Sequence, residues 1–146
     1  MRLDDIDRRL LDLLQSNARM PWSELARSVG LSAPAVADRA RRLEESGVIS
    51  GYHAHVDPEA LGYQLRAVVR MRPDRHADEV AVYAAKEPGV LTAHRVTGGD
   101  CYVFDVIARS MADLESMLDR LMEYGSIVTS VVLSSPVQHR VVLPPQ

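Results

Sequence analysis

The sequence predicts an α+β chain in two parts: three helices closed by a strand, then a βαββαβ unit. Three observations carry this. Up to residue 46 the apolar residues recur at three- and four-residue spacing, the period of a helix with one buried face. Beyond residue 63, four stretches read as strands, with apolar residues at period two, and two helical stretches separate them. Between the two patterns lies the turn-rich run Asp57-Pro58-Glu59-Ala60-Leu61-Gly62.

In the first helix Asp4 caps the start, with Asp7 as its capping-box partner, and Ile6, Leu10, Leu13 and Leu14 form the buried stripe. It fades near Asn17-Ala18-Arg19. The second helix, Trp22 to Val29, turns Leu25, Ala26 and Val29 inward. Gly30-Leu31-Ser32 makes a turn, with a permissive glycine at one helix end and a capping serine at the next. In the third helix Val36, Ala40 and Leu43 face inward, while Arg39, Arg42 and Glu45 point out. Gly47 stops it, and Val48 to Val56 extend as a strand. Residues 1–56 thus read as a winged helix-turn-helix, with 57–63 as linker.

The second unit, 64–140, begins with a strand over Gln64–Arg72, with Leu65, Ala67, Val69 and Met71 on one face. A helix follows over Asp74–Lys86, with Ala77, Val80, Ala81 and Ala84 inward. Strands at Val90–Val96 and Tyr102–Ala108 are joined by the hairpin Thr97-Gly98-Gly99-Asp100. A helix over Ser110–Tyr124 has a Ser110–Asp113 capping box, the stripe Leu114, Met117, Leu118 and Leu121, and Gly125 as its stop. Ile127–Leu133 is the last strand, and Val141–Gln146 a loose tail. The order is that of a ferredoxin-like, ACT-like sandwich. Two helices cover one sheet face, yet the last strand offers Ile127, Val131 and Leu133 on one side and Val128 and Val132 on the other. The strand 102–108 likewise sets Tyr102, Phe104 and Val106 against Val103 and Ile107. A second copy of the chain is the simplest cover.

Composition bounds the function. With 47% hydrophobic and 25% charged residues the chain reads as a globular, water-soluble protein. No apolar run approaches the roughly 20 residues of a membrane span, and the acidic start Met-Arg-Leu-Asp-Asp-Ile-Asp does not read as a signal peptide, so a cytoplasmic location without membrane contact is expected. One cysteine, Cys101, excludes an internal disulfide and a Cys-rich metal site. Net charge is −3; residues 1–61 hold 8 Arg against 10 Asp or Glu. The positive charge is instead local, with Arg39, Arg41 and Arg42 clustered on the third helix.

The chain resembles the leucine-responsive regulatory protein/AsnC (Lrp/AsnC) family of prokaryotic transcription regulators over about residues 1–140. The matching runs are Leu-Asp-Asp-Ile-Asp-Arg-Arg-Leu-Leu at 3–11, Glu-Leu-Ala at 24–26 and Gly-Leu-Ser at 30–32, then Arg-Leu-Glu-Glu-Ser-Gly-Val-Ile-Ser-Gly-Tyr at 42–52. Val-Asp-Pro-Glu-Ala-Leu-Gly-Tyr at 56–63 and Val-Thr-Gly-Gly-Asp-Cys-Tyr at 96–102 complete them. The resemblance implies a DNA reader, an effector domain, dimers that assemble further to forms such as octamers, and control by an amino acid or related metabolite. Two positions depart from the family pattern. Pro21 stands where Ser is frequent. Cys101 stands where an Asp often precedes the aromatic residue, and Asp100 lies one place earlier.

In a helix-turn-helix the start of the second helix meets base edges in the major groove. The DNA-binding candidates are therefore Ser32, Ala33, Pro34, Ala35, Asp38, Arg39 and Arg42. Arg39 suits a guanine or a phosphate, the plainer alternative being an ion pair with a neighbouring Glu. Ala33, Pro34 and Ala35 offer only thymine-methyl contact, which points toward shape readout. Asp38 faces a base or caps Arg39, Arg42 meets phosphate or solvent, and Trp22 packs. The effector candidates are Thr97, Gly98, Gly99, Asp100, Tyr102 and Ser134, with Ser135 beside it. Gly98 and Gly99 open backbone amides to a carboxylate, and Asp100 suits an ammonium; the plainer alternative is a tight turn with a solvated Asp. Tyr102 lines that pocket or packs, and Ser134 and Ser135 would come from a neighbouring subunit. Cys101 with His94 lacks an orienting third group, and His53 with His55 is too few for a closed metal site, so no catalytic residue, metal or cofactor is expected. A sequence-specific transcription regulator is the reading preferred; the alternative is a metabolite-sensing oligomeric module that does not itself bind DNA.

Overall fold

The computed structural model describes residues 2–74, 77–138 and 140–143. It divides into two compact units: residues 1–55 with the described part of 137–146, and residues 56–136.

The first unit holds α1 (Asp5–Ser16), α2 (Trp22–Val29) and α3 (Ala33–Glu45). Asp4 caps α1 in a full capping box: the Asp7 amide donates to Asp4 Oδ1 at 2.8 Å, and the Asp4 amide to Asp7 Oδ2 at 3.2 Å. Gly30 ends α2 in the left-handed conformation at φ 71°, and the Ser32 hydroxyl accepts from the Ala35 amide at the start of α3. Leu10, Leu14, Leu25, Ala26 and Val36 are buried together, with Ile6, Leu13, Val29 and Ile49 packed around them. Leu11, outside the predicted stripe, is buried too.

Two expectations for this unit fail. Among the described residues, 48–56 form no strand. Alternation in the sequence supplies side chains for a sheet but not a neighbouring strand to bond to, and this stretch has none; the Ile49 amide instead bonds back to the Leu43 carbonyl at 3.1 Å. Nor is the end of the chain loose where it is described. The Val142 amide donates to Gln15 Oε1 at 2.9 Å, and Gln15 Nε2 donates to the Val142 carbonyl at 3.0 Å. Residues 144–146 lie outside the described residues.

The second unit is the βαββαβ sandwich. Its elements are β1 (Leu65–Pro73), α4 (Ala77–Lys86), β2 (Val90–Arg95), β3 (Tyr102–Ala108), α5 (Met111–Met122) and β4 (Gly125–Val131). The strands form one sheet in the order β2-β3-β1-β4, and each neighbouring pair is antiparallel. Val80 and Ala84 from α4, and Leu114, Met117 and Leu121 from α5, bury Ala67, Val69, Met71, Tyr102, Phe104 and Val106 on one face. The Ser110 hydroxyl caps α5 by accepting from the Asp113 amide at 3.1 Å, while the Asp113 carboxylate accepts from the Arg109 amide rather than that of Ser110.

The sequence reading differs here at several points, the last strand ending at Val131 and not at Leu133 among them. Asp74 is not helical; its amide bonds to the Tyr124 carbonyl, and Arg75 and His76 lie outside the described residues. Ala81 is exposed, and Tyr83 is half-buried against the core. Gly125 does not end α5 but opens β4 opposite Pro73, where a Cβ would stand 2.3 Å from the Arg72 carbonyl oxygen. The sheet face away from the helices carries Val68, Val103, Ile107 and Val128, but also Arg70 and an Arg66–Asp105 ion pair, so it is mixed rather than apolar.

Candidate functional site

The α2–turn–α3 segment leaves one side of α3 open. Val36, Ala40 and Leu43 pack inward, so Pro34, Asp38 and Arg41 share the opposite stripe, with Arg42 beside it; all four are exposed. Ser32 is exposed as the cap, and Ala33 and Ala35 are half-buried. Asp38 does not cap Arg39. It pairs with Arg41 Nη1 at 3.0 Å, one turn along the helix. Arg41, counted in the basic cluster but not among the DNA-binding candidates, is outward too, as its place seven residues after Pro34 on the same face marks it. Trp22, expected to pack, is 43% exposed at the first position of α2.

Arg39 lies otherwise than its place on α3 leads one to expect. It does not point out; its side chain is 21% exposed and turns back onto α1. Its Nη1 donates to Asp4 Oδ2 at 2.7 Å and to Asp7 Oδ1 at 2.8 Å. Asp7 is 6% exposed, so its charge is held where a lone carboxylate is poorly solvated. Arg39 therefore fastens α3 to the capping box of α1. The bond from the Asp7 amide, then that from the Arg39 guanidinium, hold the Asp4 carboxyl below the usual carboxylate range, and the two carboxylates raise the Arg39 guanidinium in turn.

In the second unit the turn 96–101 joins β2 to β3. The Val96 amide bonds to the Cys101 carbonyl at 2.9 Å, and the Cys101 amide to the Met71 carbonyl at 2.9 Å. Thr97, Gly98 and Gly99 are exposed, and Gly98 takes φ 110°. That conformation requires glycine, while the space around both glycines is open. Asp100 Oδ2 lies 3.8 Å from Arg70 Nη1, with both side chains about half exposed. Arg70 opposes Val103 and Val128, on the uncovered sheet face. Arg66, Arg70 and Arg72 alternate along β1 and were legible as a polar side.

The other two effector candidates are not brought to Asp100. Tyr102 points to the opposite, helix-covered face. It is 5% exposed, stacks on Phe104 with ring centroids 5.8 Å apart, and donates its hydroxyl to the Ala77 carbonyl at 2.9 Å. Ser134 is exposed beyond β4. β4 ends with Val131 opposite Ala67, whereas the hairpin adjoins Met71 and Ile127, so within one chain Ser134 lies at the other end of the sheet. Cys101 packs partly buried against the core, and His94 is exposed opposite Val103. Among the described residues no group of three or more His, Cys, Asp or Glu side chains is placed to hold a metal, and no helix is long and apolar enough to cross a membrane.

Residues 3–44 match the family model for the AsnC-type helix-turn-helix domain, and residues 66–142 that for the Lrp/AsnC ligand binding domain. The uncharacterised HTH-type transcriptional regulator YezC of Bacillus subtilis is 40% identical over 137 residues, 94% of this chain and 98% of that protein. Among solved structures, the feast or famine regulatory protein of Mycobacterium tuberculosis complexed with L-methionine superposes with a TM-score of 0.90 at 35% identity, over 98% of this chain and all of that one. A transcriptional regulator of Neisseria meningitidis in complex with L-methionine does so with a TM-score of 0.90 at 27% identity, over 97% and 96%.

Proposed function

This chain belongs to the Lrp/AsnC family of helix-turn-helix transcriptional regulators, and on that premise we propose that it binds specific double-stranded DNA and that an amino acid or related metabolite controls its binding or assembly. The observation that carries the reading is the open side of α3, where a capped helix start leads into Pro34, Asp38, Arg41 and Arg42. Ser32, Ala33, Pro34 and Ala35 approach base edges closely, the Asp38–Arg41 pair opens to a base or a phosphate, and Arg42 meets phosphate. Arg39 acts from behind as a positioning residue.

The effector is bound at Thr97, Gly98, Gly99 and Asp100. Arg70 beside Asp100 offers a cation for the carboxylate while Asp100 takes the ammonium, which suits both ends of an amino acid. Relatives solved with L-methionine make that amino acid the first to test. Ser134 joins the site from a neighbouring subunit. Homodimers form over the mixed sheet face, where Val68, Val103 and Val128 await a cover, and assemble further, as far as octamers. The protein works in the cytoplasm, where its DNA is, and catalyses no reaction.

The test joins two assays. Fragments of the DNA upstream of its own gene should be shifted in a salt-dependent, sequence-specific way. Thermal-shift screening against amino acids should raise stability by about 2.7 kcal/mol for a ligand at 100 times its Kd. A protein that binds an amino acid but no DNA would be a metabolite-sensing module instead.

A further inference from the structure

The first unit contains a groove lined by none of the α3 residues proposed to meet DNA. Its lining is largely apolar, with Leu3, Leu11, Leu14, Val48 and Ile49 among the lining residues, and Gln15 near the end of α1 lines it too. Val142 and Leu143, in the chain's own segment 140–143 without regular secondary structure, also line it. The Gln15 carboxamide meets Val142 as a neighbouring strand would, giving one bond to its carbonyl and accepting one from its amide. Gln15 Nε2 also donates to the Leu11 carbonyl at 3.1 Å, which fixes the carboxamide on the helix and aims its remaining donor and acceptor outward. The Val142 side chain is 76% exposed, so the contact reads backbone rather than side chain.

We infer that the chain's own segment 140–143, docked on Gln15 through the Val142 backbone, forms one wall of this groove, straps α1 and completes the DNA-reading unit. Backbone reading sets the ligand chemistry: an extended peptide presenting one amide and one carbonyl to Gln15, with an apolar side chain such as Leu143 in the lining. The segment serves the same molecule that carries it.

Trp22, the one tryptophan, lies in α2 and reports this unit. Urea unfolding is followed by its fluorescence for the full chain, for a chain ending at Pro136, and for Gln15→Leu in the full chain. Both variants are expected to unfold at lower urea. A synthetic peptide of residues 137–146 added to the shortened chain should restore the midpoint, and should bind about tenfold more weakly when that chain also carries Gln15→Leu, the loss of two hydrogen bonds. Unchanged midpoints in both variants would overturn the inference, as would a peptide effect indifferent to Gln15. A full-chain midpoint that rises with protein concentration and loses that dependence on truncation would overturn it in favour of a segment exchanged between copies.

Discussion

Arg39→Ala separates two roles that the same residue could play. In the structure Arg39 is tied to Asp4 and Asp7 rather than presented to solvent. Truncation leaves Asp7, 9% exposed in its side chain, without its cation. A fully buried carboxylate stripped of its partner costs about 3–5 kcal/mol. Asp7 is less isolated than that, because it still accepts from the Asp4 amide and sits in the first turn of α1, where the helix favours a negative charge. The exposed arm to Asp4 adds little. A loss of about 2 kcal/mol for the first unit follows, roughly 10 °C for a unit of this size. Urea or thermal unfolding followed at Trp22 measures it, and a double-mutant cycle with Asp7→Asn should return most of it as coupling. DNA affinity, measured well below the unfolding midpoint, should fall modestly and equally for specific and unrelated sequences. If Arg39→Ala keeps wild-type stability and loses specific affinity alone by about 1–3 kcal/mol, Arg39 reads a base and the reasoning is refuted.

Acid should reveal the same junction. The Asp4 carboxyl is lowered by folding from its ordinary 3.8, so its contribution is present above that value and is lost as the pH falls through the lower, folded one; equilibrium unfolding across that range should show a shallower acid loss in Arg39→Ala than in wild type. Gly125→Ala forces a Cβ against the Arg72 carbonyl and the Pro73 backbone, and should destabilise the second unit by more than about 2 kcal/mol in calorimetry, whereas Gly99→Ala, with open space around it, should not. For the effector site, Asp100→Ala and Arg70→Ala should each weaken amino-acid binding by about tenfold or more in titration calorimetry while leaving ligand-free DNA binding unchanged. Full affinity in both would remove the pair from the site.

What the sequence made legible was local. The caps at Asp4, Ser32 and Ser110 form between groups about three residues apart; those at Asp4 and Ser32 formed as read, and that at Ser110 formed without the return bond of a capping box. Strand β3 was legible end to end because its alternation, Gly-Gly turn and following serine cap agree. The failures share a cause in long-range geometry. Periodicity gives the angle of Arg39 around α3, but its partners lie 35 and 32 residues away, and a long side chain can reach back past its own helix. Gln15 and Val142 are 127 residues apart, so no local pattern could announce their contact. The stretch 48–56 has the composition of a strand and lacks only a neighbour. For the candidate site, residue type picked out the hairpin and the start of α3 as local structures, while side-chain direction set Tyr102 apart from Asp100 and put Arg70 beside it.

The chain leaves its first unit after His55 and returns to it at Val137, so residues 56–136 are, in effect, inserted within the DNA-reading unit. During synthesis that order becomes a schedule. The segment that docks on Gln15 is added last, after every residue of the βαββαβ unit, at about 5–20 residues per second. The three helices of the reader are thus made some ninety residues before the segment that straps them, and α1 must wait for its partner until the second unit has been synthesised.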